Sequence, residues 1–228
     1  MRSRLEKAIL RTASTGEILL VLGIPMALSL ASAGLGHLRH PTGVVFTDRN
    51  MLLSMGIQVI LAGCLLPFLY RRQWKPLEVA GIPEAADFAR GLGLWLGLVG
   101  FFYLSLLLLY LLAPGLVTPL RKSPFTGTMS APVIAIAAIL DPIIEEFLWL
   151  GYTIPALANR FGIRVAYFGS VLVRVAAHAY QGRLAIIAIL PVAIVLTWYY
   201  VRTGRLWPVI VAHIIQDAIA ISVMVATT

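Results

Sequence analysis

Charged residues and cysteine are scarce in this chain. Of its 228 residues, 12% are charged, and Cys64 is the only cysteine. A single cysteine excludes an internal disulfide and a zinc site built from several thiolates. A soluble domain carries about 25% charged residues. The low charge, the 60% hydrophobic content and the mean hydropathy of +0.90 therefore indicate an integral membrane protein.

Acidic residues are fewer than basic ones, with 10 Asp and Glu against 18 Lys and Arg, which gives a net charge of +8. Such an excess could indicate nucleic-acid binding. However, the basic residues are spread over the connections between apolar runs and are not gathered on one face with aromatic residues. This distribution is typical of the orientation signal of membrane proteins, so we expect no nucleic-acid partner.

Long apolar runs bounded by charges, Gly or Pro predict an all-α fold, a polytopic transmembrane bundle of about seven to eight helices. We expect one integral membrane domain over 1–228, since no separate soluble domain is visible. The predicted spans are 18–36, 51–70, 91–113, 130–158, 164–180, 184–201 and 206–226.

Two segments outside these spans are predicted to be interfacial. Residues 1–16 are basic and intermittently apolar, which favours an amphipathic helix at the headgroup surface. The connection 71–90 is the most polar, and Pro83 predicts the start of a short helix there.

Basic residues in the connections predict the orientation of the chain. Seven spans place the N-terminus and the connections 71–90, 159–164 and 202–205 on one side, with twelve Lys and Arg residues against five on the other. The positive-inside rule then predicts a cytoplasmic N-terminus in a multi-pass protein of the cell membrane.

Seven ionisable residues lie inside the apolar runs, all between residues 141 and 217. They form three clusters: Asp141, Glu145 and Glu146; Arg174 and His178; and His213 and Asp217. A charged side chain at membrane depth is costly unless it is paired or hydrated, so such residues usually mark a functional site. The clusters predict one buried polar centre, and we expect it to be a polar catalytic cavity within the helix bundle.

Helical spacing indicates how these residues could act. Residues four apart share a helix face, so Asp141 stacks with Glu145, Arg174 with His178, and His213 with Asp217. Glu145 and Glu146 are about 100° apart around the helix, so one can face a cavity while the other braces it. A glutamate in a dry site can act as a general base near neutral pH, and a histidine can share the water that it activates.

Some of these ionisable residues could instead have a purely structural role. A single intramembrane histidine commonly joins helices through hydrogen bonds. Asp141 precedes Pro142 and could occupy a kink where backbone carbonyls are freed. The combination of two histidines with a glutamate pair favours a reactive centre over these structural roles.

The order of the motifs resembles a known family. The glutamate pair, the helix ending in HAYQG and the segment TGRLWPVIVAHIIQDAI look like the three motifs of the CPBP intramembrane proteases, also called the Abi family. This family includes the eukaryotic Ras-converting CAAX prenyl endopeptidase. The resemblance covers residues 130–226, which would form the catalytic core.

The resemblance implies a role for each motif residue. Glu145 and His178 would activate the attacking water, His213 and Asp217 would stabilise the oxyanion or complete the polar site, and Glu146 would be a supporting residue. The last motif has an aspartate in place of the family's asparagine. Because an ionised carboxylate repels an oxyanion, Asp217 would have to be protonated or orient His213.

Two positions depart from the family pattern. Leu150 stands where the resemblance implies an arginine, and Arg174 stands where it implies a phenylalanine. The two changes can compensate, because a guanidinium from the neighbouring helix could pair with Glu146. The alternative is a divergent or inactive member of the family.

The sequence thus predicts an intramembrane endopeptidase that uses a glutamate- and histidine-activated water on a membrane-associated peptide or protein. No cofactor is expected, since the candidate ligands Glu145, His178 and His213 lack an H-E-x-x-H spacing, although they could bind Zn²⁺. The competing classes are a proton-coupled transporter, for which no inverted repeat is found, and a non-catalytic membrane scaffold or immunity protein. The sequence makes no prediction of the oligomeric state.

Overall fold

The computed structural model describes residues 12–39, 44–117, 125–178 and 183–226. Of the predicted interfacial helix over 1–16, residues 1–11 lie outside the described chain, 12–14 are coil, and Thr15 and Gly16 begin the first long helix. The described chain is helical apart from one pair of two-residue parallel strands. In chain order its elements are α1 Thr15–Arg39, β1 Val44–Val45, α2 Asp48–Arg71, α3 Pro76–Ala80, α4 Ala85–Leu112, α5 Pro114–Val117, β2 Phe125–Thr126, α6 Ala131–Glu146, the π-helical segment Phe147–Tyr152, α7 Thr153–Phe161, α8 Ile163–Ala177, α9 Arg183–Thr203 and α10 Trp207–Ala226.

The predicted spans correspond to α1, α2, α4, the continuous helix α6 to α7, α8, α9 and α10. Among the described residues, α2 and α4 are long and apolar enough to cross a membrane, and shorter apolar stretches lie in α1, α9 and α10. These helices fit a multi-pass membrane protein. The number of crossings stays a prediction, and α8, at 15 residues, is only about 22 Å long at a rise of about 1.5 Å per residue.

The short helix in the connection after α2 lies earlier than predicted. It is α3, Pro76–Ala80, with Pro76 in its first turn, whereas Pro83 lies in the coil before α4. Helix α4 instead begins with a capping box, in which the side chains of Glu84 and Asp87 each accept from the other residue's backbone N–H. This reciprocal cap, and not Pro83, marks the start of α4.

Helix α10 packs along both α4 and α6 and therefore holds the two halves of the described bundle together. A Cβ atom on Gly91 of α4 would lie 2.6 Å from the Cβ of Val211 in α10, so only glycine permits this close approach. Small residues at such a crossing allow tight van der Waals packing of membrane helices. The core between them contains Leu98, Leu150 and Ile210, all of which are buried.

A π-helical segment interrupts the long helix immediately after the glutamate pair. Phe147–Tyr152 widens the helix by about one residue per turn, so the backbone N–H of Thr153 donates to the carbonyl of Leu148, five residues earlier. No residue pattern in the sequence predicted this segment. It turns the two parts of the helix relative to each other and so sets which side chains face α8.

The connections between the helices lie at two ends of the bundle, and polar contacts join them at each end. At one end Arg72 Nε donates to Glu17 Oε2 at 3.0 Å, and Arg205 Nε donates to Asp87 Oδ1 at 2.8 Å. The Asp87 carboxylate raises the pKa of Arg205. At the other end β1 pairs with β2, and the Ser130 backbone N–H donates to Asp48 Oδ1 at 2.7 Å. This grouping agrees with the predicted alternation of the connections.

Candidate active site

Glu146 is the centre of the polar site. It is the last residue of α6 and is completely buried. Arg174 of α8 binds it with two parallel hydrogen bonds, from Nη1 to Oε1 at 2.6 Å and from Nη2 to Oε2 at 2.5 Å. Such a bidentate pair satisfies both carboxylate oxygens and fixes the helices relative to each other. The pairing predicted for the displaced arginine is confirmed.

The third helix of the site contributes His213 and Asp217. His213 Nδ1 lies 2.6 Å from Glu146 Oε1, and because an ionised carboxylate only accepts, this nitrogen carries the proton and donates. On its other side His213 Nε2 lies 3.4 Å from Asp217 Oδ1, one turn further along α10. The imidazole is therefore held between two carboxyl groups. This geometry favours the predicted role of Asp217 in orienting His213.

Leu150, at the position of the missing arginine, is fully buried. It belongs to the same apolar cluster as Leu94, Ile154 and Val209. The leucine thus has a packing role in the core, while the cation that serves Glu146 comes from α8. That the two departures from the family pattern compensate each other stays a prediction.

Glu145 differs from its neighbour in its surroundings. Its side chain is half-buried, and its Oε2 atom is buried without a hydrogen-bond partner among the described residues. Arg174 interacts electrostatically with Glu145 as well as with Glu146. Since Glu146 already accepts three hydrogen bonds, Glu145 is the glutamate of the pair with an oxygen available for another group.

His178 follows the last residue of α8 and is half-buried. Its Nδ1 lies 2.8 Å from the backbone carbonyl of Arg174, one turn earlier, to which the ring N–H donates. In a neutral ring this bond leaves the lone pair on Nε2. The same helix end thus provides both the guanidinium for Glu146 and an oriented imidazole. That His178 meets Glu145 across a common water stays a prediction.

Asp141 and Gln58 extend the site toward α2. Asp141 lies one turn before Glu145 in α6 and interacts with Glu145, Asp217 and His213. Its carboxyl group also contacts the side chain of Gln58, which is half-buried in α2. Gln58 was not predicted from the sequence as a residue of the site. Its position as a lone carboxamide within an apolar span was the available signal.

A second polar cluster supports the segment that follows the glutamate pair. Glu17 of α1 is buried, and its Oε1 accepts from the Tyr152 hydroxyl at 3.1 Å, while Arg72 binds its other oxygen. Trp74 packs edge-on against Tyr152 with ring centroids 6.1 Å apart. This cluster was not predicted from the sequence, because Glu17 lies near the start of the first predicted span, where an acidic residue is typical of a helix cap.

A cavity of about 640 Å³ lies elsewhere, between α4, α8 and α9. Gly93, Gly97, Tyr167 and Trp198 are among its mainly apolar lining residues, and none of the predicted site residues lines it. The polar catalytic cavity around Glu145 therefore stays a prediction. No group of three His, Cys, Asp or Glu residues with the geometry of a metal site occurs in the part of the chain that the structure describes.

The fold and the site define a helical membrane protein with a buried centre of glutamate, arginine and histidine. Residues 127–219 match the family model described as Type II CAAX prenyl endopeptidase Rce1-like, and this match supports a relationship of this part of the chain to the CPBP family of CAAX-type proteases. The comparison with curated proteins finds no match. The comparison with solved structures finds none either. The matched segment contains all three polar clusters, so the family assignment and the geometry concern the same part of the molecule.

Proposed function

We propose that this protein is an intramembrane endopeptidase that hydrolyses a peptide bond of a membrane-associated protein or peptide with a water molecule activated by Glu145 and His178. The family assignment supports protease activity in general. The observation that carries the specific mechanism is the contrast within the glutamate pair. Glu146 is saturated by Arg174 and His213, whereas Glu145 Oε2 has no hydrogen-bond partner among the described residues.

In this mechanism Glu145 takes a proton from the attacking water, and the lone pair on His178 Nε2 accepts a hydrogen bond from the same water. Hydroxide attack on the scissile carbonyl gives a tetrahedral oxyanion. Proton transfer from Glu145 to the leaving amine then completes hydrolysis, so the carboxylate is regenerated. Each step uses only groups of the chain, the substrate and the attacking water.

His213 stabilises the oxyanion electrostatically as an imidazolium, in agreement with its two carboxyl neighbours. Asp217 orients this ring and does not touch the oxyanion. Glu146 and Arg174 hold α6, α8 and α10 in the positions that the reaction requires. The transition state therefore forms beside a site whose charges are already fixed before substrate binds.

The proposed site is free of metal. This proposal is supported by the arrangement of His213, whose two ring nitrogens already face Glu146 and Asp217. Metal analysis of the purified protein should find no stoichiometric zinc, and a chelator should leave its activity unchanged. Stoichiometric zinc whose removal abolishes activity and whose return restores it would overturn this proposal.

The substrate is proposed to be a membrane-associated peptide or protein, and the protein is proposed to lie in the cell membrane with its N-terminus in the cytoplasm. The apolar helices and the family support a membrane location. The distribution of Lys and Arg supports the orientation.

The function is tested by mass spectrometry of membranes from cells that make either the native protein or the Glu145→Gln variant, which shows which membrane-associated proteins are cleaved. We expect a defined set of membrane-associated proteins to be cleaved with the native protein and intact with the variant. The matched control is Glu78→Gln, because Glu78 is an exposed glutamate that pairs with Lys75 outside the site. Indistinguishable cleavage patterns in the native and Glu145→Gln membranes would contradict the proposal.

A further inference from the structure

The π-helical segment Phe147–Tyr152 directly follows the glutamate pair, and its backbone carbonyls accept hydrogen bonds from side chains. Within the helix, Thr153 Oγ1 donates to the carbonyl of Leu148 at 2.8 Å. From α8, Ser170 Oγ donates to the carbonyl of Trp149 at 2.7 Å. From the connection after α2, Trp74 Nε1 donates to the carbonyl of Gly151 at 3.2 Å. A π segment disturbs the regular backbone bonding of a helix, and these donors compensate for that disturbance.

Ser170 and Arg174 are four residues apart on α8 and so lie on one face of this helix. Ser170 is completely buried against the Trp149 carbonyl, and Arg174 is buried against the Glu146 carboxylate. Trp149 follows Glu146 by three residues, so α8 holds the acid-bearing helix at two points one turn apart. One point is the ion pair, and the other is a neutral hydrogen bond to the π segment.

Trp74 supplies the third constraint from a different part of the chain. It is buried, and its ring packs on Tyr152 at the end of the π segment. If the segment relaxed to a regular α-helix, the residues after Phe147 would rotate by about 100° relative to Glu145 and Glu146. The carbonyls of Trp149 and Gly151 would then leave their donors. Ser170 and Trp74 therefore favour the π form over the α form.

We infer that Ser170 and Trp74 are positioning residues, which hold the π segment so that Glu145 and Glu146 keep their orientation toward the reactive centre. This inference rests on the proposed function for its catalytic consequence. Its structural part, the control of the π segment, is independent of that function. Neither residue touches the reacting atoms in this account.

The test compares Ser170→Ala with Ser170→Thr, which keeps the hydroxyl group, and with Trp74→Phe, which keeps an aromatic ring but removes the N–H. Two quantities are measured on each purified variant: hydrogen exchange of the backbone amides over 147–152, and the kcat and KM of cleavage. Ser105→Ala is the matched control, because Ser105 Oγ also donates to a backbone carbonyl, that of Phe101, but within α4.

We expect Ser170→Ala to accelerate exchange over 147–152 and to lower kcat by roughly 10- to 100-fold with little change in KM, as for a misplacement of about 1 Å in a reactive group. Trp74→Phe should have a smaller effect of the same kind. Ser170→Thr should recover most of both properties. Ser105→Ala should behave as the native protein.

The inference is overturned if Ser170→Ala and Trp74→Phe leave exchange over 147–152 at its native rate. It is also overturned if kcat falls only in proportion to the fraction of unfolded protein. If Ser170→Thr does not fold, the exchange and kcat of Trp74→Phe decide the question. A native protein that cleaves nothing would refute the proposed function, and the exchange data would still decide whether Ser170 and Trp74 hold the π segment.

Discussion

At the scale of single residues, the ion pair between Arg174 and Glu146 dominates the site. Both side chains are removed from solvent, with relative exposures of 1% and 0%. Desolvating two charges is costly, so the pair is tolerated because its two hydrogen bonds and the bond from His213 satisfy the carboxylate. Removing either partner leaves the other charge buried.

Arg174→Leu and Glu146→Gln should each lower the free energy of unfolding by about 3–5 kcal/mol, because each breaks a buried pair from one side. The double variant should lose much less than the sum, since neither member of the ion pair is then left buried without the other. Reversible unfolding in mixed micelles, followed by tryptophan fluorescence, measures these values.

The control for this cycle is Lys75→Leu, which breaks the exposed pair with Glu78. It should cost less than about 1 kcal/mol, because surface pairs contribute little. Strictly additive losses for Arg174→Leu and Glu146→Gln would show that the two side chains do not act as a pair.

The Arg174 pairing could be predicted from the sequence because an unpaired arginine at membrane depth is costly and Glu146 had lost its expected partner. Helical spacing alone predicted that one of Glu145 and Glu146 faces the cavity and the other braces it. It did not say which, because this depends on which of them faces α8. Gln58 was missed because one carboxamide in an apolar run has no partner in the linear pattern. Its contact with Asp141 exists only through the packing of α2 on α6.

At the scale of secondary-structure elements, the lengths of the apolar runs predicted the long helices. The π-helical segment and the two short strands were not predicted. The π segment depends on side-chain donors distant in sequence, such as Trp74, so no local pattern reveals it. Strands β1 and β2 have two residues each, too few for a periodic signal. Helix α8 was predicted as 164–180 but ends at Ala177, where the His178 ring bonds back to the Arg174 carbonyl.

Helix α1 is fixed to this irregular segment by Glu17, which accepts from Tyr152 and Arg72. Glu17→Ala removes a buried acceptor and should lower the free energy of unfolding by about 1–3 kcal/mol. Unfolding in mixed micelles checks this value, with exposed Glu78→Ala as the control that should change stability by less than about 0.5 kcal/mol. Equal losses for the two variants would show that Glu17 does not anchor α1.

At the scale of the whole molecule, polar contacts collect the connections at two ends of the bundle. The sequence predicted this alternation from the positions of the spans, and the contacts of Arg72 with Glu17 and of Ser130 with Asp48 agree with it. The packing of the helices does not indicate which end faces the cytoplasm. That prediction rests on the distribution of Lys and Arg. The orientation therefore requires a direct test.

Single cysteines introduced into a Cys64→Ala protein give this test. Ile82→Cys lies in the connection between α3 and α4, where Ile82 is 79% exposed, and Arg49→Cys lies in the exposed first turn of α2 at the opposite end. A membrane-impermeant maleimide should label Arg49→Cys in intact cells and Ile82→Cys only in inverted vesicles. The reverse pattern would place the N-terminus outside the cell.

Water activation by Glu145 and His178 is tested most directly by the rate of peptide-bond hydrolysis by the purified protein in liposomes. The substrate is one that is cleaved in native membranes and intact in Glu145→Gln membranes. Glu145→Gln and His178→Ala should each abolish turnover while their unfolding curves stay close to the native one, because these residues act in the proposed chemistry and not in holding the fold. Glu78→Gln should cleave at the native rate. If Glu145→Gln or His178→Ala, correctly folded, retained more than a few percent of native turnover, water activation by this pair would be contradicted.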